Sequence, residues 1–124
     1  VSGGFTFFAD YFGKRIGFDE AIANVLLFEG DTLTGTVQKP IVDKNTKRER
    51  LTALAAERNL PLSATIAVGD GANDLDMIRA AGLGIAYKAK PIVAAGTRAR
   101  IEHTDLTAAL FFQGYRAEEI VAGP

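Results

Sequence analysis

The residues best suited to chemistry lie in the stretch 65–82, which reads TIAVGDGANDLDMIRAAG. An apolar run at 66–68 stops just before Asp70, which has a glycine on either side, and Asn73 and Asp74 then open a segment with apolar residues at helical spacing. This pattern predicts a buried strand, a tight turn and a helix. Ligands of open α/β sheets bind just past the carboxyl ends of the strands, so Asp70 and Asn73 stand where a metal ion and an anion could be bound together.

The same turn also has an ordinary structural interpretation, because Asp or Asn at a helix start is usually a cap. Two carboxylates and an amide around one turn exceed what capping requires. The helix start also directs unpaired N–H groups and a partial positive charge at the turn. The stretch therefore favours joint binding of a cation and an anion.

A second candidate site lies at the beginning of the chain, where Ser2, Gly3 and Gly4 precede an amphipathic helix with apolar residues spaced from Phe5 to Ile16. A hydroxyl and free backbone N–H groups before a helix can receive a phosphate oxygen, and helix capping by the serine is the alternative. Since a turn of this kind usually follows a strand, we expect a strand upstream of it.

Lys47 is the third candidate. Residues 43–46 offer caps for a helix predicted over 46–58, and Lys47 shares a face of that helix with Leu51 and Leu54. Its ammonium at the helix entrance could neutralise charge at the sheet edge that carries the glycine-flanked turn. The alternative is a lysine whose stem covers apolar surface while its charge stays in water.

Composition limits the function classes. The chain has 124 residues, 48% hydrophobic content, no cysteine and a formal charge of -1. These values predict one domain without disulfides or thiolate metal ligands, and with no overall attraction to nucleic acid or membranes. No apolar run approaches the roughly 20 residues that span a bilayer, and no signal-peptide start is present. We expect a cytoplasmic protein that acts on small molecules.

The remaining patterns predict an α/β fold, a Rossmann-like three-layer sandwich with a parallel sheet plus a β-hairpin. The further predicted elements are hairpin strands over 21–28 and 32–37, strands over 83–86 and 100–102, and helices over 92–95 and 106–112.

The three candidate groups, SGG at 2–4, Lys47 and GDGAND at 69–74, resemble motifs two, three and four of the haloacid dehalogenase superfamily of phosphohydrolases. Within it the chain is most similar to the phosphoserine phosphatases, because SGGF, LTGTV, KNTKRERL, AYKAKP and HTDL also match. The similarity covers essentially the whole chain. The resemblance implies a small phosphomonoester substrate, O-phosphoserine, with Mg²⁺ as cofactor.

The resemblance also implies roles for the matching residues. Asp70 corresponds to the catalytic carboxylate that binds magnesium, and Asn73 to the amide that contacts the substrate phosphoryl group. Asp74 corresponds to a catalytic acidic residue that supports the metal site and the neighbouring lysine.

On the phosphate side, Ser2 and the Gly3 N–H correspond to the phosphate-binding hydroxyl and amide. Lys47 corresponds to the catalytic lysine that binds the phosphoryl group and offsets its charge.

One family motif is absent. Members begin with a strand ending in Asp-x-Asp, whose first aspartate is the nucleophile, and the only such pattern here is Asp74-Leu75-Asp76 inside a predicted helix. The family's helical cap is absent too. We therefore expect residues 1–124 to be a single, N-terminally truncated haloacid dehalogenase-like core domain. It should be inactive alone and could self-associate through an uncovered sheet edge.

Three alternatives stay open: a related phosphatase for another small phosphomonoester, a non-catalytic fragment with a binding or structural role, and an ion-pump phosphorylation domain. The last is disfavoured because no membrane segment follows the turn.

Overall fold

The computed structural model describes residues 1–121. These residues divide into two compact units, Val1–Lys47 and a second that begins at Arg48. None of the described helices is both long and apolar enough to cross a membrane. The expectation of one domain over residues 1–124 stays a prediction.

The first unit contains helix α1 (Thr6–Ile16) and an antiparallel hairpin of strands β1 (Leu26–Glu29) and β2 (Thr32–Val37). The helix ends at Gly17, whose φ of 87° is left-handed and whose N–H donates to the Gly13 carbonyl at 3.0 Å. Glycine suits this position because it has no Cβ to clash.

The hairpin differs from the prediction at its start. The strand predicted over 21–28 begins only at Leu26, while Asn24 forms an isolated parallel bridge with Phe5. The side chain of Asn24 also bonds to Gly3 and Val42, outside the hairpin. The strand prediction is therefore wrong for residues 21–25, because the backbone and the buried amide of Asn24 pair elsewhere in the unit.

The apolar face of α1 is largely exposed. Phe8, Phe12 and Ile16 are 58%, 52% and 62% exposed, and Gly13 is the buried residue of the helix. A Cβ at Gly13 would lie 3.0 Å from the Cβ of Ala21, so the helix and the segment after it approach closely at this glycine.

The second unit is built on a three-stranded parallel sheet of order β3-β4-β5, with β3 at Ile66–Gly69, β4 at Leu83–Tyr87 and β5 at Ala99–Ile101. Its helices are α3 (Leu75–Ala80), α4 (Pro91–Ala95) and α5 (Ala108–Phe112), and α2 (Lys44–Glu57) begins in the first unit and continues into the second. Among the described strands, β3 pairs with β4 alone. The predicted α/β fold with a parallel sheet and a hairpin is confirmed.

The core of the second unit surrounds β4. Ile78 of α3, Ala86 of β4 and Val93 of α4 form one buried cluster. Ile85 and Ala86 are 0% and 1% exposed, so both faces of β4 are covered. A strand buried on both faces reads as a continuous apolar run, which is why the sequence pattern located it.

Two helices begin later than predicted. The segment expected to be helical from Asn73 first forms a 3₁₀ turn at Ala72–Asp74, and α3 starts at Leu75. The helix expected from 106 begins at Ala108. The turn at Asp74 has a structural cause, because its side chain bonds back to the preceding backbone.

We expect Ile85→Ala to lower the free energy of unfolding by roughly 2–5 kcal/mol, because it removes methylene groups from a closed core and leaves a cavity. Ile92→Ala is the matched control, since Ile92 is 72% exposed. Urea unfolding followed by circular dichroism would measure both, and equal losses for the two variants would contradict this description of the core.

Candidate active site

The turn after β3 is held by one buried carboxylate. Oδ2 of Asp74 accepts hydrogen bonds from the N–H groups of Asp70 and Gly71, each at 3.1 Å. The Asp74 N–H donates in return to the Gly71 carbonyl at 3.0 Å. Since Asp74 is only 5% exposed, this carboxylate fixes the backbone of the turn from within the protein.

Two glycines leave the space that this arrangement needs. A Cβ at Gly69 would lie 2.6 Å from Oδ2 of Asp74, and a Cβ at Gly71 would lie 2.7 Å from Oδ1 of Asn73. Neither glycine has a positive φ, so close approach of side chains is the reason for glycine here. The glycines admit the carboxylate of Asp74 on one side and the amide of Asn73 on the other.

The other two polar side chains of the turn face solvent. Asp70 and Asn73 are exposed, and Asp70 follows the last residue of β3 at the carboxyl edge of the parallel sheet. The turn thus combines a buried carboxylate that organises the backbone with an exposed carboxylate and amide that can bind a ligand.

The exposed oxygens fit a magnesium ion. Mg²⁺ prefers oxygen ligands, keeps several waters and is commonly bound through one or two protein carboxylates. Asp70 could supply that carboxylate, and the amide of Asn73 lies exposed in the same turn for contact with an anion. Across residues 1–121 no group of three or more His, Cys, Asp or Glu side chains is gathered closely enough to hold a metal unaided. A single exposed carboxylate suits an ion that keeps several of its waters.

Ser2 and Gly3 form a second turn, in the first unit. Oγ of Ser2 accepts a hydrogen bond from the Gly4 N–H at 3.0 Å, while α1 is preceded by Phe5 with no side-chain cap. Ser2 is therefore not a cap of this helix. Within the described part of the chain, the Gly3 N–H donates to no other group. That amide and the Ser2 hydroxyl proton are available to a phosphate oxygen.

Asn24 fixes this second turn through side-chain hydrogen bonds. This role was not predicted from the sequence. Nδ2 of Asn24 donates to the Gly3 carbonyl at 3.0 Å, and its Oδ1 accepts from the Val42 N–H at 2.7 Å. Its backbone also pairs with Gly4 and Thr6. The available signal was a single asparagine in the apolar run AIANVLLF, since a buried amide must find hydrogen-bond partners.

Lys47 lies in the first turn of α2. Oδ1 of Asp43 accepts from the N–H groups of Asn45 and Thr46 at 2.9 and 3.1 Å, and Oγ1 of Thr46 accepts from the Asp43 N–H at 3.2 Å. This reciprocal capping confirms a cap within residues 43–46. The helix itself begins at Lys44, earlier than the predicted start at 46, because Asp43 is the capping residue. Lys47 is 6% exposed, so it is not a lysine whose charge extends into water.

The structure thus brings the predicted residues together in two groups within their units. Ser2 and Gly3 share one turn, and Asp70, Asn73 and Asp74 share another. Lys47 belongs to the first unit. The convergence of these groups on one pocket stays a prediction, as do their individual roles.

A parallel sheet with a carboxylate turn at its carboxyl edge defines an α/β protein whose ligand site would lie at that edge. A model of the haloacid dehalogenase-like hydrolases matches residues 1–79. The chain belongs to this family.

Several phosphoserine phosphatases are similar to this chain in sequence. That of Streptomyces coelicolor is 44% identical over 122 residues, which are 98% of this chain and 30% of that protein. That of Streptococcus thermophilus is 49% identical over 106 residues, which are 86% of this chain and 49% of that protein. The chain thus spans less than half the length of each of these two relatives.

Solved structures of phosphoserine phosphatases also superpose on this chain. The unliganded probable phosphoserine phosphatase of Vibrio cholerae superposes with a TM-score of 0.83 at 42% identity, covering 88% of this chain and 34% of that one. A substrate-bound phosphoserine phosphatase complex superposes with a TM-score of 0.84 at 40% identity, covering 90% and 53%.

We expect Asp74→Ala to lower the free energy of unfolding by roughly 1–3 kcal/mol, because the N–H groups of Asp70 and Gly71 lose their acceptor. Both amides should also exchange faster with deuterium. Asp76→Ala is the matched control, since Asp76 lies two residues further along and accepts no hydrogen bond among the described residues. Unchanged exchange at Gly71 in Asp74→Ala would contradict the role assigned to this carboxylate.

The cap of α2 predicts a pH dependence. The Thr46 N–H lowers the pKa of Asp43 below its ordinary value of 3.8, with the Asn45 N–H and the Thr46 hydroxyl acting in the same direction. Because the folded pKa lies below the unfolded one, this stabilisation is present above about pH 4 and is lost as pH falls through the folded pKa. The free energy of unfolding of the wild type should therefore fall relative to that of Asp43→Asn as the pH is lowered. Urea unfolding at several pH values would measure it, and a difference independent of pH would contradict the assignment.

Proposed function

We propose that this chain supplies the metal- and phosphate-binding part of a magnesium-dependent phosphoserine phosphatase. The whole enzyme would hydrolyse O-phosphoserine to serine and phosphate in serine biosynthesis. The observation that carries this proposal is the turn after β3, where Asp74 is buried against the backbone while Asp70 and Asn73 are left exposed. The similarity to named phosphoserine phosphatases supports the choice of substrate.

The resemblance to phosphoserine phosphatases supplies the proposed phosphate contacts. The Ser2 hydroxyl and the Gly3 N–H donate to phosphate oxygens, and the Asn73 amide donates to another. Lys47 offsets the charge of the phosphoryl group. Phosphoryl transfer is catalysed mainly by positioning and by stabilising charge on the transferring oxygens, so donors fixed before the substrate arrives are the useful ones.

Asp70 would hold the magnesium ion through its exposed carboxylate. When bound, Mg²⁺ supplies positive charge that neutralises the phosphate oxygens and the attacking carboxylate. Asp74 accepts hydrogen bonds from the Asp70 and Gly71 N–H groups. These bonds would keep the Asp70 carboxylate at the carboxyl edge of the sheet.

The attacking carboxylate itself has no counterpart in the 124 residues. In the proposed reaction an aspartate attacks phosphorus, serine leaves with a proton from a second aspartate, and water then hydrolyses the aspartyl-phosphate. The one Asp-x-Asp pattern of this sequence cannot serve, because Asp74 is buried against the turn and Asp76 lies within α3. This chain should therefore bind the ion and the anion weakly and should not turn over alone. Its cytoplasmic location and its self-association stay predictions.

The ion-binding half of the proposal is tested by adding MgCl₂ to the ¹⁵N-labelled chain. We expect the Gly71 amide to shift in proportion to bound ion, and Asp70→Asn to abolish the shift because a neutral amide binds Mg²⁺ poorly. Asp76→Asn removes a charge from the same region and should leave the shift intact. Equal loss in the two variants would mean that general electrostatics, and not Asp70, attracts the ion.

The catalytic half is tested by phosphate release from O-phosphoserine. The purified chain should show none with magnesium present. Release that disappears on Asp70→Ala would disprove the requirement for an aspartate from outside these residues. No binding of magnesium or inorganic phosphate by a well-folded chain would favour the non-catalytic alternative.

A further inference from the structure

The second unit contains a cleft at the amino-terminal edge of its parallel sheet. Leu83 and Ala99, the first residues of β4 and β5, lie in its wall, and its volume is about 360 Å³. Asp70 follows the last residue of β3, so the cleft and the Asp70 turn lie at opposite edges of the sheet. The cleft is therefore separate from the candidate active site.

The charge of the cleft is unbalanced. Arg79 and Arg98 line it, and no carboxylate does. Throughout residues 1–121 neither guanidinium takes part in a hydrogen bond or ion pair, whereas those of Arg50 and Arg100 each pair with a nearby glutamate. Like charges beside one cavity repel each other, and a guanidinium presents donors in a fork that matches an oxyanion.

Gly96 lies against the guanidinium group of Arg79. Gly96 has a φ of -85°, which any residue can adopt, yet a Cβ there would lie 3.0 Å from Nη2 of Arg79 and 3.0 Å from Cδ1 of Leu75. The guanidinium of Arg79 and the side chain of Leu75 therefore both pack against Gly96. Because Gly96 also lines the cleft, the guanidinium of Arg79 is positioned at its wall.

The dipole of α3 explains the position of only one of the two arginines in the cleft. Arg79 lies in the last turn of α3, where a cation interacts favourably with the helix dipole. Arg98 belongs to no helix, since it stands between α4 and β5. The helix dipole therefore accounts for Arg79 alone, and both arginines are exposed to solvent.

We propose that this cleft binds a small oxyanion with two negative charges, either a phosphate group or a dicarboxylate, between Arg79 and Arg98. Its volume lies near the lower end of the range for small-molecule sites, which suits a compact metabolite. The proposal does not depend on the phosphatase function.

The experiment is an NMR titration of the ¹⁵N-labelled chain with inorganic phosphate and, separately, with succinate, at constant ionic strength set by chloride. We expect saturable shifts of the Gly82, Gly84 and Gly96 amides, all of which belong to the cleft. The Gly3 and Gly71 amides report phosphate at the candidate active site, so the two sites are followed independently.

Arg79→Gln and Arg98→Gln should each weaken this binding about tenfold, the typical cost of losing a charged hydrogen-bond partner. Arg58→Gln is the matched control, because Arg58 is exposed like Arg79 and Arg98 but does not line the cleft. The dispersion of amide signals outside the cleft verifies that each variant is folded.

Saturation by phosphate alone or by succinate alone supports the proposal and assigns the ligand class, and saturation by both supports a general oxyanion site. Absence of saturable shifts at the three glycines with either anion overturns it. Equal weakening by Arg58→Gln and Arg79→Gln also overturns it.

Discussion

A single carboxylate oxygen organises the carboxyl edge of the sheet. Oδ2 of Asp74 binds two successive backbone N–H groups, and the absence of a Cβ at Gly69 gives it room to do so. The same contact shapes the 3₁₀ turn that delays α3, and it leaves Asp70 as the exposed carboxylate. A buried charge is costly unless it is hydrogen-bonded, so the turn and the carboxylate stabilise each other.

The first unit holds its own turn in a comparable way, with an amide in place of a carboxylate. Asn24 is 7% exposed and uses both ends of its side chain, one on the Gly3 carbonyl and one on the Val42 N–H. In both units one buried polar side chain fixes a glycine-containing loop while other donors stay available. Loops held in this manner need little reorganisation when they bind an anion, which is the condition for strong electrostatic stabilisation.

Sequence reasoning succeeded where the determinants are local. The runs that became β3 and β4 are continuous, and β3 ends at Gly69. The Asp43 cap depends on residues within one turn of helix. Sequence reasoning failed for Asn24, whose side-chain hydrogen-bond partners lie 21 and 18 residues away. The apolar run around Asn24 predicted one continuous strand, because those distant partners do not show in the local pattern. Sequence reasoning could not find the close approach at Gly96 either, because Arg79 and Leu75, which contact it, come from another helix. Non-local contacts decide such positions, and the pattern of one segment does not contain them.

The one-sided pairing of β3 has a consequence for assembly. Within the described residues, the side of β3 away from β4 carries backbone donors and acceptors without a strand partner. A segment that joined this side in parallel orientation would run in the same direction as β3 and would finish beside Asp70, since parallel strands end at a common edge. Complementation in trans by such a segment would thus deliver its last side chains directly to the ion-binding turn.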